Sequence, residues 1–312
     1  MGTVLGIVLP AFGVILAGYV AARTPLFPPA ACRGLSNFVF YAAMPAFLFR
    51  AMAVGAPPEG IGLGIVYAYF VACLVMFAAT LVLSRALFRT RLEERAVMAM
   101  GTVFGNTVML GIPLVYAAFG EAGVVYVMLV IAFHSVILIP LTIVVIELGR
   151  GSGRGLAHAA RSIAAALARN PVILAIAAGW AWRAGGLELP EGIGRFTGLL
   201  GAAGVPTALF ALGATLVGYR IAGDVRESMT VVALKLAAQP IAVWLSASFL
   251  GLGDLETAVA VVLGALPTGI NVFIMAEAYS VHERSAATAI LVSTVLSVAT
   301  MSAVLGILAP AR

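Results

Sequence analysis

Charge is what this sequence has least of. Asp, Glu, Lys and Arg make up 10% of the 312 residues, against 62% apolar, and the mean hydropathy is +1.11. A soluble domain carries roughly 25% charged residues, so that class is excluded and a polytopic membrane protein is expected. Lysine occurs once, as Lys235, and every other basic residue is an arginine. The net charge of +5 therefore concerns where arginines fall about a bilayer, and nucleic acid is not an expected partner. Two cysteines, Cys32 and Cys73, lie in or beside apolar runs and give no disulfide framework. The chain has no Walker motif, no metal-ligand cluster and no Ser-His-Asp arrangement, so no enzyme, no ATP-driven pump, no metal and no cofactor is expected.

What is present is a series of apolar runs of spanning length, about 20 residues each. Ten fit: 4–22, 34–54, 61–84, 96–118, 123–147, 170–186, 196–218, 228–250, 255–279 and 285–308. The expected fold is an all-α membrane protein of ten helices. The first run has no basic segment before it and reads as a span, not a cleaved signal. Thirteen arginines fall in the odd-numbered loops and four on the other side, which puts those loops in the cytoplasm and both termini outside. The expected location is the inner membrane of a bacterium, with lipid as a partner. The loop 149–169 opens on Gly149-Arg150-Gly151-Ser152-Gly153, a flexible linker. Its later part reads either as a helix lying on the anionic leaflet or as an extension of the sixth span.

Two spans are interrupted. Residues 105–113 read Gly-Asn-Thr-Val-Met-Leu-Gly-Ile-Pro, and residues 266–271 read Leu-Pro-Thr-Gly-Ile-Asn. Proline cannot donate a backbone hydrogen bond, and glycine loosens the helix. In lipid such a break survives only where protein or a wet cavity covers it. A gap-free shift of 161 residues lays Pro10 on Pro171, Gly18 on Gly179, Pro29 on Pro190, Pro45 on Pro206, Leu48-Phe49 on Leu209-Phe210, and Asn106 on Pro267. Five spans per half is an odd number. The halves, 1–148 and 170–312, must then run in opposite senses, as a 5+5 inverted repeat about the linker.

Broken near the midplane, spans four and nine can cross. The second half of each then presents free N–H groups and a positive dipole end toward one point, which suits an anion. Asn106, Thr107, Thr268 and Asn271 add neutral donors and acceptors. Gly111, Pro113 and Pro267 shape the breaks. The alternative is a pair of proline kinks packed against neighbours.

Residues 105–114 with Phe119-Gly120-Glu121, and Leu266-Pro-Thr-Gly-Ile-Asn-Val-Phe273 running into Ala278-Tyr-Ser-Val-His282, resemble the fourth- and ninth-span signatures of the auxin efflux carrier family. That family includes the plant PIN-FORMED carriers and bacterial carriers of malate or malonate. The short loop between the halves places this chain nearer the bacterial branch. The resemblance implies a scaffold of spans 1, 2, 6 and 7 and a moving transport domain of spans 3–5 and 8–10. It also implies a crossover at Pro113 and Pro267, substrate at Asn106, and a homodimer. A secondary transporter of small organic anions, carboxylates such as malate, malonate or auxin-like acids, working by an elevator motion is therefore expected. The rivals are a sodium-coupled symporter of the bile-acid type and a non-transporting membrane sensor. No mid-span acidic residue or aspartate pair is present to favour the first.

Individual polar residues carry open alternatives. His134, in span five, is a proton carrier or a neutral core histidine. Lys235, about 10 Å into span eight at 1.5 Å per residue, is expected to snorkel to the headgroups. Pointing inward, it would meet an anionic substrate or replace a coupling cation. Asn37 and Tyr41, one turn apart, line the scaffold side of a pocket or pack helices. Gln239-Pro240 marks a further bend facing the interior.

Overall fold

The computed structural model describes residues 2–54, 62–150, 168 and 170–308, and every regular element among them is helical. In order these are α1 (Gly2–Ala21), α2 (Pro29–Phe38), α3 (Met44–Val54), α4 (Gly64–Phe88), α5 (Leu92–Val103), α6 (Ile112–Arg150), α7 (Pro171–Ala184), α8 (Glu191–Ala202), α9 (Gly204–Leu216), α10 (Val225–Ala233), α11 (Gln239–Phe249), α12 (Asp254–Ala265), α13 (Asn271–Tyr279) and α14 (Glu283–Leu308). Six stretches are long and apolar enough to cross a membrane: Pro29–Val54, Gly64–Phe88, Thr107–Arg150, Glu191–Leu216, Val225–Phe249 and Glu283–Leu308. Gly6–Ala21 and Pro171–Ala184 are apolar and shorter. The expected runs lie largely on helix, but 96–118 and 255–279 are interrupted, and the later part of 96–118 continues into 123–147 within α6 across a kink at Gly120. The helix expected on the leaflet after residue 150 lies outside the described residues, save position 168.

The helix ends follow local rules. Pro29 stands at the first position of α2, where its missing N–H costs nothing. Asn170 caps α7 by accepting from the Val172 and Ile173 N–H groups, with Pro171 next in line. Asp224 caps α10 in the same way, through the N–H groups of Arg226 and Glu227. At the start of α5, the Glu94 carboxylate accepts the Arg91 N–H at 2.7 Å. Burial opposes its ionisation, but that bond and the Arg91 guanidinium outweigh burial and hold Glu94 below the usual carboxylate range.

Three widened π-turns interrupt the helices, at Val39–Ala43, Thr107–Gly111 and Leu234–Ala238. Each ends two residues before a proline: Pro45, Pro113 and Pro240. A proline ring crowds the carbonyl four residues back and supplies no N–H. Widening one turn relieves the clash, and the residue before the proline then bonds five residues back: Met44 to Val39, Ile112 to Thr107 and Gln239 to Leu234.

Large apolar side chains face outward on most helices, among them Leu16, Val75, Val82, Trp244, Phe249 and Ile307. A surface of that kind fits a lipid solvent. Inside, buried Thr80, Ser84, Thr142 and Thr294 return their hydroxyls to carbonyls one turn back, so these hydroxyls do not face the apolar interior alone.

The densest packing falls within two sets of helices, which also touch each other through α1 with α6 and α14 and through α9 with α6. α1 lies along α9, and α3 along α7 and α8, while α4, α5, α6, α11 and α12 pack on one another, and α10 on α14. In the first set the backbones touch. A Cβ at Gly18 would stand 2.0 Å from the Phe210 carbonyl oxygen, and one at Gly179 would stand 2.7 Å from the Phe49 carbonyl oxygen. These two contacts use the positions that the 161-residue shift makes equivalent. Gly201, one of the span-seven glycines, lies against Phe47 in the same manner.

Candidate functional site

The helices part at two places. α5 stops at Val103, and the next helical turn begins at Thr107; α12 stops at Ala265, and α13 begins at Asn271. The unwound segments meet as an isolated antiparallel bridge between Gly105 and Thr268. The Asn106 N–H donates to the Pro267 carbonyl at 3.0 Å, and the Gly269 N–H to the Phe104 carbonyl at 2.8 Å. These mutual bonds satisfy backbone that lipid could not. The bridge joins residues 163 apart, so the gap-free shift has slipped by two residues on reaching this point.

Each segment ends in a helix whose first N–H groups lack partners. Those of Val108 and Met109 in one, and of Ile270 and Asn271 in the other, make no backbone hydrogen bond among the described residues. All four residues line one cavity of about 600 Å³. That size is ordinary for a small-molecule site. Asn106 lines it too, 7% exposed, and its Nδ2 donor has no partner. Thr107, Asn271, Asn37, Tyr41 and His134 complete the polar part of the wall, with Ser36, Arg33 and Asn170 toward the end of α2. No aspartate or glutamate lines the cavity among the described residues.

The expected site residues thus divide. Asn106, Thr107 and Asn271 come together at the crossing, and Asn37 and Tyr41 face them from α2 and its π-turn. Thr268 is fully buried and turned away: its hydroxyl donates to the Gly101 carbonyl at 2.9 Å, and its N–H donates to Ser293 Oγ at 3.1 Å. Pro267 contributes its carbonyl to the bridge. Pro113 does not stand at the crossing. The chain unwinds at residues 104–106, and Pro113 lies within the first turn of α6, where it sets the π-turn instead. Gly111 gives room there, since a Cβ would stand 2.8 Å from Leu266 Cδ1.

His134 is 2% exposed and closes the inner end of the cavity. Its Nε2 lies 3.4 Å from the Tyr69 hydroxyl, and its ring lies 4.3 Å from that of Phe104. Lys235 corrects the snorkelling expectation. It is fully buried, and its Nζ donates to the Gly264 carbonyl at 2.7 Å, in the last turn of α12 before the crossing. The π-turn it occupies, ahead of Pro240, aims it inward. Gln239 follows, also fully buried, donating to Cys73 Sγ at 3.2 Å. His282, from the Ala-Tyr-Ser-Val-His run, sits at a positive φ of 54° with Nε2 3.2 Å from the Glu227 carboxylate, away from the cavity.

The sequence leads to free N–H groups where the second half of each broken span begins, but it does not assign them to Val108, Met109 and Ile270, and Arg33 is missed. Those donors have no side-chain signal. Arg33 had been counted with a loop, whereas α2 begins at Pro29; the Pro28-Pro29 pair marks that start.

A second cavity, of about 590 Å³, lies near the other end of the Pro29–Val54 stretch and is lined by Phe47, Arg50, Tyr116 and Glu121. Phe47 and Tyr116 meet there edge to face, their centroids 5.9 Å apart.

Comparison with known proteins gives a family described as "Membrane transport protein", matched over residues 3–305. A protein named "Putative malonate transporter" from Rhizobium meliloti (strain 1021) is 31% identical over 306 residues, covering 98% of this chain and 96% of that one. An uncharacterized transporter of Methanocaldococcus jannaschii is 21% identical over 298 residues, covering 94% of this chain and 95% of its own. A mouse protein named "Lysosomal cholesterol signaling protein" is 25% identical over 226 residues, 67% of this chain but 25% of that protein.

Proposed function

This chain belongs to the membrane transport protein family of the auxin efflux carriers, and on that premise we propose that it is a secondary transporter of small organic anions working by elevator-type alternating access. One observation carries the anion reading. Asn106 Nδ2 and the four N–H groups of Val108, Met109, Ile270 and Asn271 are donors without partners at one cavity, with no carboxylate beside them. A buried donor left unpaired, as Asn106 Nδ2 is, is costly, and a bound carboxylate would satisfy it together with several of the N–H groups. The dipoles of both helices add to the attraction. A relative named for malonate makes malonate the first ligand to try.

The elevator reading draws on the packing. α1–α3 and α7–α9 serve as scaffold, their backbones locked by Gly18 and Gly179. α4–α6 and α10–α14 form the transport domain that carries the crossing between the two cavities. The contacts 161 residues apart support an inverted repeat of five spans each. His134 is the candidate for a coupled proton. The chain is read as a homodimer in a bacterial inner membrane, both termini outside.

A sodium-coupled symporter is the rival. Lys235 weighs against it: an ammonium held at the Gly264 carbonyl already places a cation at a helix C-terminal end beside the crossing. The test is malonate flux in proteoliposomes, with and without sodium. Sodium-independent uptake that falls in both Asn106→Ala and Asn271→Ala is expected. Normal rate and apparent affinity in both variants would overturn the site, and flux that needs sodium would favour the symporter.

A further inference from the structure

Resting on the anion reading above, we propose that Arg33 is a specificity residue of the same cavity: it takes the second carboxylate of a dicarboxylate whose first is held at the crossing. Among the described residues Arg33 is the one Asp, Glu, Lys or Arg side chain that lines the cavity. It forms no ion pair there among the described residues, whereas Arg91 and Arg195 do. Its guanidinium therefore keeps its donors, in a planar fork matched to a carboxylate.

Position supports the assignment. Arg33, Asn37 and Tyr41 follow one another at helical spacing, so all three face along one stripe the cavity that Asn106 and Asn271 also line. The π-turn that begins at Val39 swings Tyr41 into this stripe. A monoanion at the crossing needs nothing more than the neutral donors there. A dianion brings a second charge into a wall otherwise built of neutral and apolar groups such as Phe40, Ile131 and Ile139. Stripping water from that charge without a partner is costly. Arg33 supplies a partner from the wall of the same cavity. Its charge thus discriminates between anions of different valence and does not merely attract anions in general.

The contact is also one-sided. Arg33 stands on α2, which packs on α9, while Asn106 and Asn271 stand on the crossing. If the crossing moves relative to α2, Arg33 stays behind, so its contribution belongs to the state seen here.

The experiment measures binding of malonate and of propionate, its monocarboxylate counterpart, to the purified full chain in detergent, by calorimetry. Wild type, Arg33→Gln, Arg33→Lys and Asn106→Ala are compared, each with a thermal unfolding curve to show that it is folded. Arg33→Gln is expected to weaken malonate about tenfold, as for loss of a charge-assisted hydrogen bond, and to leave propionate unchanged. Arg33→Lys recovers part of the malonate affinity. Asn106→Ala weakens both ligands. If Arg33→Gln weakens neither ligand, or weakens both equally, the inference fails while the crossing site stands. Preference of the wild type for propionate would overturn it as well. If Asn106→Ala weakens neither ligand, or the wild type binds neither, it is the anion reading itself that fails.

Discussion

Gly18 lies so close to Phe210 that a Cβ on it would stand 2.0 Å from the Phe210 carbonyl oxygen. Gly179 stands in the same relation to Phe49, at 2.7 Å. Each glycine is 161 residues from the other, and so is each phenylalanine. Nothing in the composition requires that the same two residue types should meet twice in exchanged order. A two-fold relation between the halves produces it directly, because the contact of one half's glycine with the other half's carbonyl must then occur twice.

Such contacts leave no room for a side chain. Gly18→Val and Gly179→Val are each expected to lower the stability of the detergent-solubilised protein by about 1–3 kcal/mol, the usual cost of overpacking. Thermal unfolding reads this directly. Gly6→Val, on the same helix with nothing within 4 Å of its Cβ position, is the control and should unfold as the wild type does.

Asn106 and Thr268 lie close together in the crossing but should behave differently. Asn106→Ala removes an unpaired donor at the cavity and is expected to weaken anion binding tenfold or so with little loss of stability. Thr268→Val keeps the shape and loses the bond to Gly101, so it should cost about 0.5–1.5 kcal/mol in stability. Ligand titration and thermal unfolding of the same two samples separate the roles. Equal effects on binding would mean that Thr268 also faces the ligand.

Much of this was legible in the sequence, and the reasons for the rest are specific. Apolar length gave the helices, and arginine placement an expected orientation. The two Pro-Gly-Asn interruptions gave the crossing, because few residues tolerate unwound backbone in a membrane. Pro113 was assigned to the wrong turn, since a proline announces a disturbed helix but not whether it breaks or widens. The three π-turns show a consistent answer, two residues ahead of the ring. Lys235 was sent to the surface because depth along a helix was known and its facing direction was not. The two breaks announce free N–H groups at the cavity, but no residue type marks which residues carry them. The 161-residue shift relates the two glycine contacts at Gly18 and Gly179, whereas the bridge joins Gly105 to Thr268, 163 residues on.

Lys235 offers a separate prediction. A buried charge is costly unless it is paired, and an apolar residue of similar volume often replaces one without loss of stability. Lys235→Met should therefore unfold within about 1 kcal/mol of the wild type or above it, since it removes the desolvated ammonium and leaves one carbonyl acceptor unpaired. If the ammonium serves the crossing as a fixed cation, flux in proteoliposomes falls at the same time. Unchanged flux with unchanged stability would leave Lys235 without a part in transport.

The proposed elevator motion makes a demand that binding does not. Phe47 stands on α3 and Tyr116 on α6, so the two rings belong to the two sets of helices that must slide past each other. Their edge-to-face contact, with centroids 5.9 Å apart, lies at the cavity opposite the one that holds Asn106. A short thiol-reactive cross-linker between Phe47→Cys and Tyr116→Cys should fix that contact. Cys32 and Cys73 are both buried, which limits competing reaction. Binding of malonate to the cavity at the crossing should survive cross-linking, because nothing there is touched. Flux should stop, and should return when a reducible linker is cleaved. Flux that continues through the cross-linked protein would rule out sliding between these helices. Saturable binding with no flux even before cross-linking would instead point to a protein that senses its anion and does not carry it.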